Sequence, residues 1–384
     1  MSLLSDMSAK AIFGGSFDPP TNAHTELVKN LSLRFDEVIV VPAYVSPFKR
    51  GGALLDGRER IKLLKRLFSD LSNVVVSDYE LSMGGTSYSY KTALNFYDGK
   101  DKLYFVIGSD GLSSLDKWAR TDILKETVIF YIVERPYFPV KAEALQKAKK
   151  MFDVQLAPFQ GLEGSSSLLR AAVAFGKQAE IVPGIVADYI AERGLYREYE
   201  YITARYDEFD IKPSRREHIY RTAKAAIILA KLNGADTDKT TRAALLHDIG
   251  KYVGPERLKA LGIDCGKEAD ALPESCRHQI TGATIAEKLF KERDKDVLAA
   301  IRTHTTGAER MSLLQKIIFA ADYIEDGRDF TGINEIRAAV YDNLDRGIKL
   351  IFENTIDYLR TNGQEIAPVT LKAYEYLKSL QEKI

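Results

Sequence analysis

The chain has 384 residues with 54 basic and 54 acidic side chains, so no global charge draws it to nucleic acid or an anionic membrane. At 45% hydrophobic and 28% charged it has the balance of a soluble globular protein, and its length exceeds what one core usually serves, so two domains are expected. No uncharged apolar run is long enough to span a bilayer, and residues 1–10 lack the basic flank and apolar core of a secretory leader. These features predict a cytoplasmic protein with no membrane or nucleic-acid partner; self-association stays open. Cys265 and Cys276 are spaced for neither a zinc knuckle nor a redox pair and read as reduced structural thiols. Histidine is the informative residue: His24, His218, His247, His278 and His304 are the full set, and each sits in a context that suggests chemistry.

In chain order, Ala11–Phe13, Val38–Val41, Val74–Ser77, Leu103–Ile107 and Val128–Val133 read as buried strands. Helical patterns lie between or after them at Thr25–Leu33, Arg58–Phe68, Tyr88–Tyr97, Ser166–Phe175 and Pro183–Glu192. Such alternation predicts an α/β domain with a mainly parallel sheet, and ligands at the carboxyl ends of its strands. From about Tyr199 strands disappear. Helices are expected at Arg216–Leu232, Thr237–His247, Thr281–Phe290, Lys295–Thr303, Ser312–Ile324 and Ile333–Thr361, which makes the second half all-α. The boundary is set within the polar stretch Tyr196–Pro213, giving domains 1–197 and 198–384.

The first strand runs into Gly14-Gly15-Ser16-Phe17-Asp18-Pro19-Pro20-Thr21-Asn22-Ala23-His24 and a helix. Glycines at a strand end allow close ligand approach, and free amides at a helix start attract phosphate. The bland alternative is a tight strand–helix turn with an incidental histidine. The stretch resembles the first signature of the HIGH-type nucleotidyltransferases, whose domain is Rossmann-like, and the likeness extends over residues 10–197. Gly164-Ser165-Ser166-Ser167-Leu168-Leu169-Arg170 resembles the family's second signature. Several segments resemble the nicotinate mononucleotide adenylyltransferases: Thr86-Ser87-Tyr88-Ser89 with Thr92, Gly108-Ser109-Asp110 with Trp118, Pro47-Phe48-Lys49 with Arg58, and Arg135-Pro136.

The resemblance implies that Gly14, Gly15, Phe17, Thr21, His24, Gly108, Asp110, Ser166, Ser167 and Arg170 bind ATP, which carries Mg²⁺. It also implies that Lys49, Arg58, Ser87, Tyr88, Trp118 and Arg135 bind nicotinate mononucleotide, with Trp118 against the nicotinate ring. His24, Lys49 and Arg170 would be catalytic. Four positions depart from the pattern. Thr21 stands where this subfamily has histidine, Ala23 replaces the signature glycine, Phe48 replaces a histidine, and Gly164 replaces isoleucine. Thr21-Asn22 is closer to the phosphopantetheine adenylyltransferases, which supply the alternative substrate for this half.

In the second half, His247 and Asp248 follow the apolar run Ala243-Ala244-Leu245-Leu246, and Asp322 follows Ile317-Ile318-Phe319-Ala320-Ala321. A carboxylate at the end of such a run is expensive to bury unless something positive meets it. Imidazole and carboxylate are ligands for borderline metals, so His218, His247, Asp248, His278, His304 and Asp322 are candidate ligands. In that order they resemble the HD phosphohydrolases, and in particular the symmetrical dinucleoside tetraphosphatases. The carriers are Arg215-Arg216-Glu217-His218, Leu246 to Lys251, His278 with Gly282-Ala283, Ala300 to Thr305, and Ala321 to Glu325 with Arg328. The resemblance implies a dinuclear centre, iron first with manganese or zinc as alternatives, and cleavage of diadenosine tetraphosphate to two ADP. Asp248 would bridge the metals, Lys251 would act on the leaving phosphate, and Arg328 would hold a distal one; Lys251 reads equally as a solvated helix-end lysine. The alternatives for this half are a nucleotide-sensing module or hydrolysis of another nucleotide phosphoester.

Overall fold

The computed structural model describes residues 8–44 and 55–381. The described residues up to Leu169, with Gln178–Leu195, form one compact unit; Arg170–Lys177, with those from Tyr196 onward, form a second. The expected boundary at 197/198 therefore lies close to the third and last chain crossing, between Leu195 and Tyr196, but a short segment of the first half belongs to the second unit.

The first unit is built on six strands: β1 (Ala9–Gly15), β2 (Glu37–Pro42), β3 (Val74–Val76), β4 (Lys102–Gly108), β5 (Ile129–Glu134) and β6 (Val154–Gln160). All pairings are parallel and the order is β3-β2-β1-β4-β5-β6. Alternate residues of β1 face opposite layers. Ala11 and Phe13 pack with Val38, Val40 and with Val28 and Leu31 of helix α1 (Asn22–Ser32), whereas Ile12 packs with Ile39, Val41, Phe105 and Ile107. A parallel sheet apolar on both faces needs a cover on each, which is why its central strands are near-continuous hydrophobic runs. The sixth strand escaped the expectation. Val154–Gln160 contains Pro158 and is largely exposed, and proline is tolerated in a strand only at a sheet edge. The chain leaves β1 toward β2 on one side and β4 on the other, so the crevice at their carboxyl ends is the natural ligand position.

The second unit is all helix and turn among the described residues. Its core helices are α4 (Pro213–Asn233), α5 (Thr237–Leu246), α6 (His278–Leu289), α7 (Lys295–Thr303), α8 (Leu313–Ile324), α9 (Ile333–Asp342) and α10 (Leu344–Thr361), while α2 (Gly57–Leu67) and α3 (Ser166–Ala174) precede them in the chain. The single helix expected over Ile333–Thr361 is two. Asn343 adopts extended backbone (φ −149°, ψ 111°) and its side chain accepts from the Arg346 amide, capping α10. A Cβ on Gly347 would lie 2.5 Å from Val340 Cα, so the glycine lets α9 and α10 meet at that corner.

Another close approach positions the polar centre of this unit. A Cβ on Gly250 would lie 2.5 Å from the Gly282 amide and 2.8 Å from the His278 carbonyl, both backbone atoms of α6. The turn after His247-Asp248 can therefore touch α6 only with glycine at 250. Gly250→Ala is expected to destabilise the second unit by about 1–3 kcal/mol, because neither backbone can yield without breaking the helix. Thermal melts of the full chain should show this as an earlier transition; an unchanged melt would mean that the contact is not tight.

Candidate functional sites

In the first unit a cavity of about 360 Å³ opens at the carboxyl ends of β1, β4 and β5. Gly14, Gly15, Ala23, His24, Ser87, Gly108, Asp110, Trp118, Arg135 and Gly164 line it. His24 is held by the start of its own helix. Thr21 caps α1 and is completely buried; its amide donates to His24 Nδ1 at 2.9 Å, and its Oγ1 lies 2.8 Å from the same nitrogen. An Nδ1 that accepts an amide proton leaves the neutral ring carrying its own proton on Nε2, so His24 is set up as a hydrogen-bond donor. Phe17 is also buried, its ring edge-on to His24 with centroids 5.0 Å apart. Thr21 and Phe17, expected to touch nucleotide directly, both contact His24, and neither is part of the cavity wall.

Opposite, Arg135 pairs with Asp110 at 2.9 Å, and a Cβ at Gly108 would lie 2.3 Å from Asp110 Oδ1 and 2.8 Å from Arg135 Cδ. Trp118 packs edge-on to Phe105 and Phe130, so its ring is fixed where it borders the cavity. Of the remaining expectations, Ser87 reaches the cavity, but Tyr88 lines only a smaller neighbouring recess and Arg58 is exposed away from both. The Ser166 hydroxyl donates to the Asp18 carbonyl at 3.0 Å and Ser167 is half-buried; neither lines the wall, which ends at Gly164. Arg170 pairs with Glu198 at 2.9 Å and lies over the Tyr196 ring, all within the second unit. Lys49 lies outside the described residues.

One residue of this site went unread in the sequence. Arg60, almost fully buried, donates from one guanidinium nitrogen to the carbonyls of Ser16 and Ala43, both at 2.7 Å. Ser16 and Ala43 follow β1 and β2 and both line the cavity, so Arg60 ties the two loops together beneath it. The signal was available: Arg60, Leu63 and Leu64 are the buried residues of α2, and an arginine on an apolar stripe needs internal acceptors.

In the second unit five helices bring together all six residues singled out in the sequence. His218 lies on α4, His247 and Asp248 end α5, His278 opens α6, His304 ends α7 and Asp322 lies on α8. Three overlapping groups each have ligand atoms within 4.8 Å of one another: His218–His247–Asp248, His247–His304–Asp322 and Asp248–His278–His304. Asp248 stands at the centre with its oxygens divided. Oδ2 faces His218 Nε2 (3.6 Å) and His247 Nε2 (3.5 Å), while Oδ1 faces His278 Nε2 (3.3 Å) and His304 Nε2 (3.8 Å). Asp322 Oδ1 lies 2.9 Å from His218 Nε2 and 3.9 Å from His247 Nε2.

The outer nitrogens decide what the inner ones can do. Nδ1 of His247 lies 2.7 Å from the Ala244 carbonyl, and Nδ1 of His304 lies 2.8 Å from the Ile301 carbonyl. A carbonyl can only accept, so both rings donate from Nδ1 and, when neutral, turn an Nε2 lone pair inward. His247 Nε2 is buried with no hydrogen-bond partner among the described residues and faces carboxylate oxygens. A buried lone pair aimed at negative charge is unfavourable unless a cation lies between them. The donor set thus fits a metal ion, and the divided Asp248 fits a bridging carboxylate.

Charge agrees with this reading. Burial opposes ionisation of Asp248 and Asp322, but His247 beside the first and His218 beside the second hold both carboxyls well below their usual range. Burial and the neighbouring His304 push His278 down to about 3, and burial and His247 push His304 down to about 4. Both are neutral at pH 7, as ligation requires. His218 differs. Burial disfavours its charge, yet Asp322 and Glu325 carry it up to about 8. Glu325, not read as a site residue in the sequence, sits 3.2 Å from His218 Nδ1 and accepts from the Gly327 amide at 2.6 Å. Cations border the centre: Arg215 pairs with Asp248 (2.9 Å), Arg328 with Asp322 (3.1 Å), and Lys251 Nζ lies 3.4 Å from both nitrogens of His278.

In metal-free protein, ring nitrogen NMR should therefore show His218 titrating near 8. His278 and His304 should stay neutral down to about pH 5, and added metal should abolish the His218 titration. A midpoint for His218 below 6.5 would contradict the carboxylate cage. Glu325→Gln should loosen metal binding on the order of ten- to a hundredfold, since it can no longer hold Nδ1–H as a carboxylate does. Equal metal affinity in competition titrations would remove Glu325 from the centre.

Residues 12–172 match the cytidylyltransferase-like family and residues 215–327 match the HD domain family. A Mycoplasma genitalium protein described as a probable nicotinate-nucleotide adenylyltransferase/Ap4A hydrolase is 29% identical over 322 residues, spanning 83% of this chain and 87% of that one. A symmetrical bis(5′-nucleosyl)-tetraphosphatase of Halalkalibacterium halodurans is 39% identical over 173 residues, 44% of this chain and 92% of that one. A probable nicotinate-nucleotide adenylyltransferase of Aliarcobacter butzleri is 36% identical over 167 residues, 42% of this chain and 86% of that one. The chain thus belongs to two families at once, the nicotinate-nucleotide adenylyltransferases and the HD-domain symmetrical bis(5′-nucleosyl)-tetraphosphatases.

Proposed function

We propose that the chain is a bifunctional cytoplasmic enzyme of adenine nucleotides. Its first unit transfers the adenylyl group of Mg²⁺-ATP to nicotinate mononucleotide, and its second hydrolyses diadenosine tetraphosphate to two ADP.

In the first reaction a 5′-phosphate oxygen of the mononucleotide attacks the α-phosphorus of ATP, and the bond to the β-phosphate oxygen breaks to release pyrophosphate. No protein nucleophile is needed. Catalysis is then positioning and charge stabilisation. The observation that carries this reading is the fixed Nε2–H donor of His24, at the cavity between β1 and β4. Phosphate binds there to His24, at the positive end of the α1 dipole. The locked Trp118 ring supplies a flat apolar wall for the nicotinate, which favours this acceptor over phosphopantetheine. Arg135, set by Asp110, supplies positive charge on the same side.

In the second reaction, His218, His247, Asp248, His278, His304 and Asp322 hold the metal pair, with iron as the proposed ion and manganese or zinc as alternatives. When bound, the pair supplies an activated water and offsets phosphate charge. The chain does the rest. Nδ1 partners fix the imidazoles, Asp248 offers one oxygen to each half of the centre, and Arg328 meets the polyphosphate. Lys251, beside His278, neutralises the departing phosphate; its position at the centre favours that role over a solvated helix-end lysine.

With metal-loaded full-length protein, ATP and nicotinate mononucleotide should yield deamido-NAD and pyrophosphate, and diadenosine tetraphosphate should yield ADP alone. His24→Ala should lower the first rate by about a hundredfold or more and leave the second intact. His247→Ala should do the converse. Faster pyrophosphate release with phosphopantetheine would overturn the first assignment; nucleotide binding without turnover would make the second unit a sensor.

A further inference from the structure

We infer that Ala23 and Gly164 are a size-coupled pair that sets the phosphate end of the first cavity, with Gly164 a positioning residue for His24; the identity of the ligand there rests on the adenylyltransferase reading. The two residues line the cavity from different elements, Ala23 on the first turn of α1 and Gly164 on the loop before α3. Each departs from the signature that its stretch resembles, one by gaining a methyl group and the other by losing a large side chain. In the fold these departures face each other.

A Cβ on Gly164 would lie 2.9 Å from Ala23 Cβ, 3.1 Å from Thr21 Oγ1 and 3.4 Å from Thr21 Cβ. Two methyl carbons do not approach to 2.9 Å, so something would have to move. Neither neighbour can swing aside. The Ala23 methyl is fixed by the helix backbone, and the Thr21 hydroxyl is buried and engaged by the His24 amide and Nδ1. Any side chain at 164 therefore pushes on Ala23 and on Thr21, whose amide and hydroxyl seat the His24 ring. Backbone conformation does not demand glycine here, because Gly164 is absent from the positive-φ positions. Space demands it. The Ala23 methyl occupies the volume that a side chain at 164 would need, so the small residue on one wall requires the other to be no larger than it is.

The test is a double-mutant cycle in the full chain, read by kcat/KM for ATP in pyrophosphate release and by ring nitrogen NMR of His24. Gly164→Ala should lower kcat/KM ten- to a hundredfold and shift the His24 Nδ1 signal, as the Thr21 contacts are displaced. Ala23→Gly added to Gly164→Ala should recover most of both losses. In the parent background Ala23→Gly should not raise kcat/KM, so the same substitution helps or fails according to residue 164. If the two losses simply add, or Gly164→Ala leaves His24 and kcat/KM as they were, the coupling is refuted. Should Gly164→Ala fold poorly, Ala23→Val approaches the contact from the other wall and must disturb the His24 signal in the same direction. Calorimetric affinity for the non-hydrolysable ATP analogue α,β-methylene-ATP, which needs no acceptor, must follow the same cycle. A cycle seen in analogue binding while nicotinate mononucleotide is not adenylylated would sink the acceptor assignment and spare the pair; a flat cycle with normal adenylylation would do the reverse.

Discussion

Two carboxylates and four imidazoles have been withdrawn from water into one pocket of the helical unit, and that burial governs its architecture. Such a group is unfavourable in an apolar interior unless each polar atom meets an opposite charge, a hydrogen bond or a metal. The outer halves of the rings are satisfied by the chain: Ala244 and Ile301 carbonyls for His247 and His304, Glu325 for His218. The inner halves are left facing each other and Asp248. Helix ends meet at this group, because the C-caps of α5 and α7 are His247 and His304. Glycine at 250 and 282 then lets the Asp248 turn press against α6.

The sheet unit solves a different problem with different means. Its cavity lies at strand ends and a helix start, with glycines at 14, 15, 108 and 164 among the lining residues. Among the described residues of its wall, the cation Arg135 is paired with Asp110. Its precision comes from beneath, where Thr21 and Phe17 seat His24 and Arg60 joins two loops.

The two units also differ in how legible they were. Strand–helix alternation predicted the parallel sheet, and apolar helical periodicity predicted the second half, because both periods are local. Val154–Gln160 was missed because an exposed edge strand carries no continuous apolar run. The helix expected at Ile333–Thr361 was broken by the Asn343 cap, which overrides unbroken amphipathic spacing. The six residues that converge in the helical unit could be chosen from sequence because the apolar runs before His247-Asp248 and Asp322 are locally visible and the ordered set resembles a known motif. Glu325 could not, because it acts only through the back of a histidine more than a hundred residues away.

By itself the sequence determined the fold class of each half and the family signatures, since these depend on residue type and short spacing. Only the tertiary structure decided the roles that depend on contact across the chain. It set Thr21 and Phe17 against His24, joined Arg60 to the Ser16 and Ala43 carbonyls, and paired Arg170 with Glu198. It also set Ala23 against Gly164, turning two separate departures into one shared volume. The physical reason is that hydrogen bonds and steric contacts act over a few ångströms of space, and nothing in residue order records which distant atoms will meet at that range.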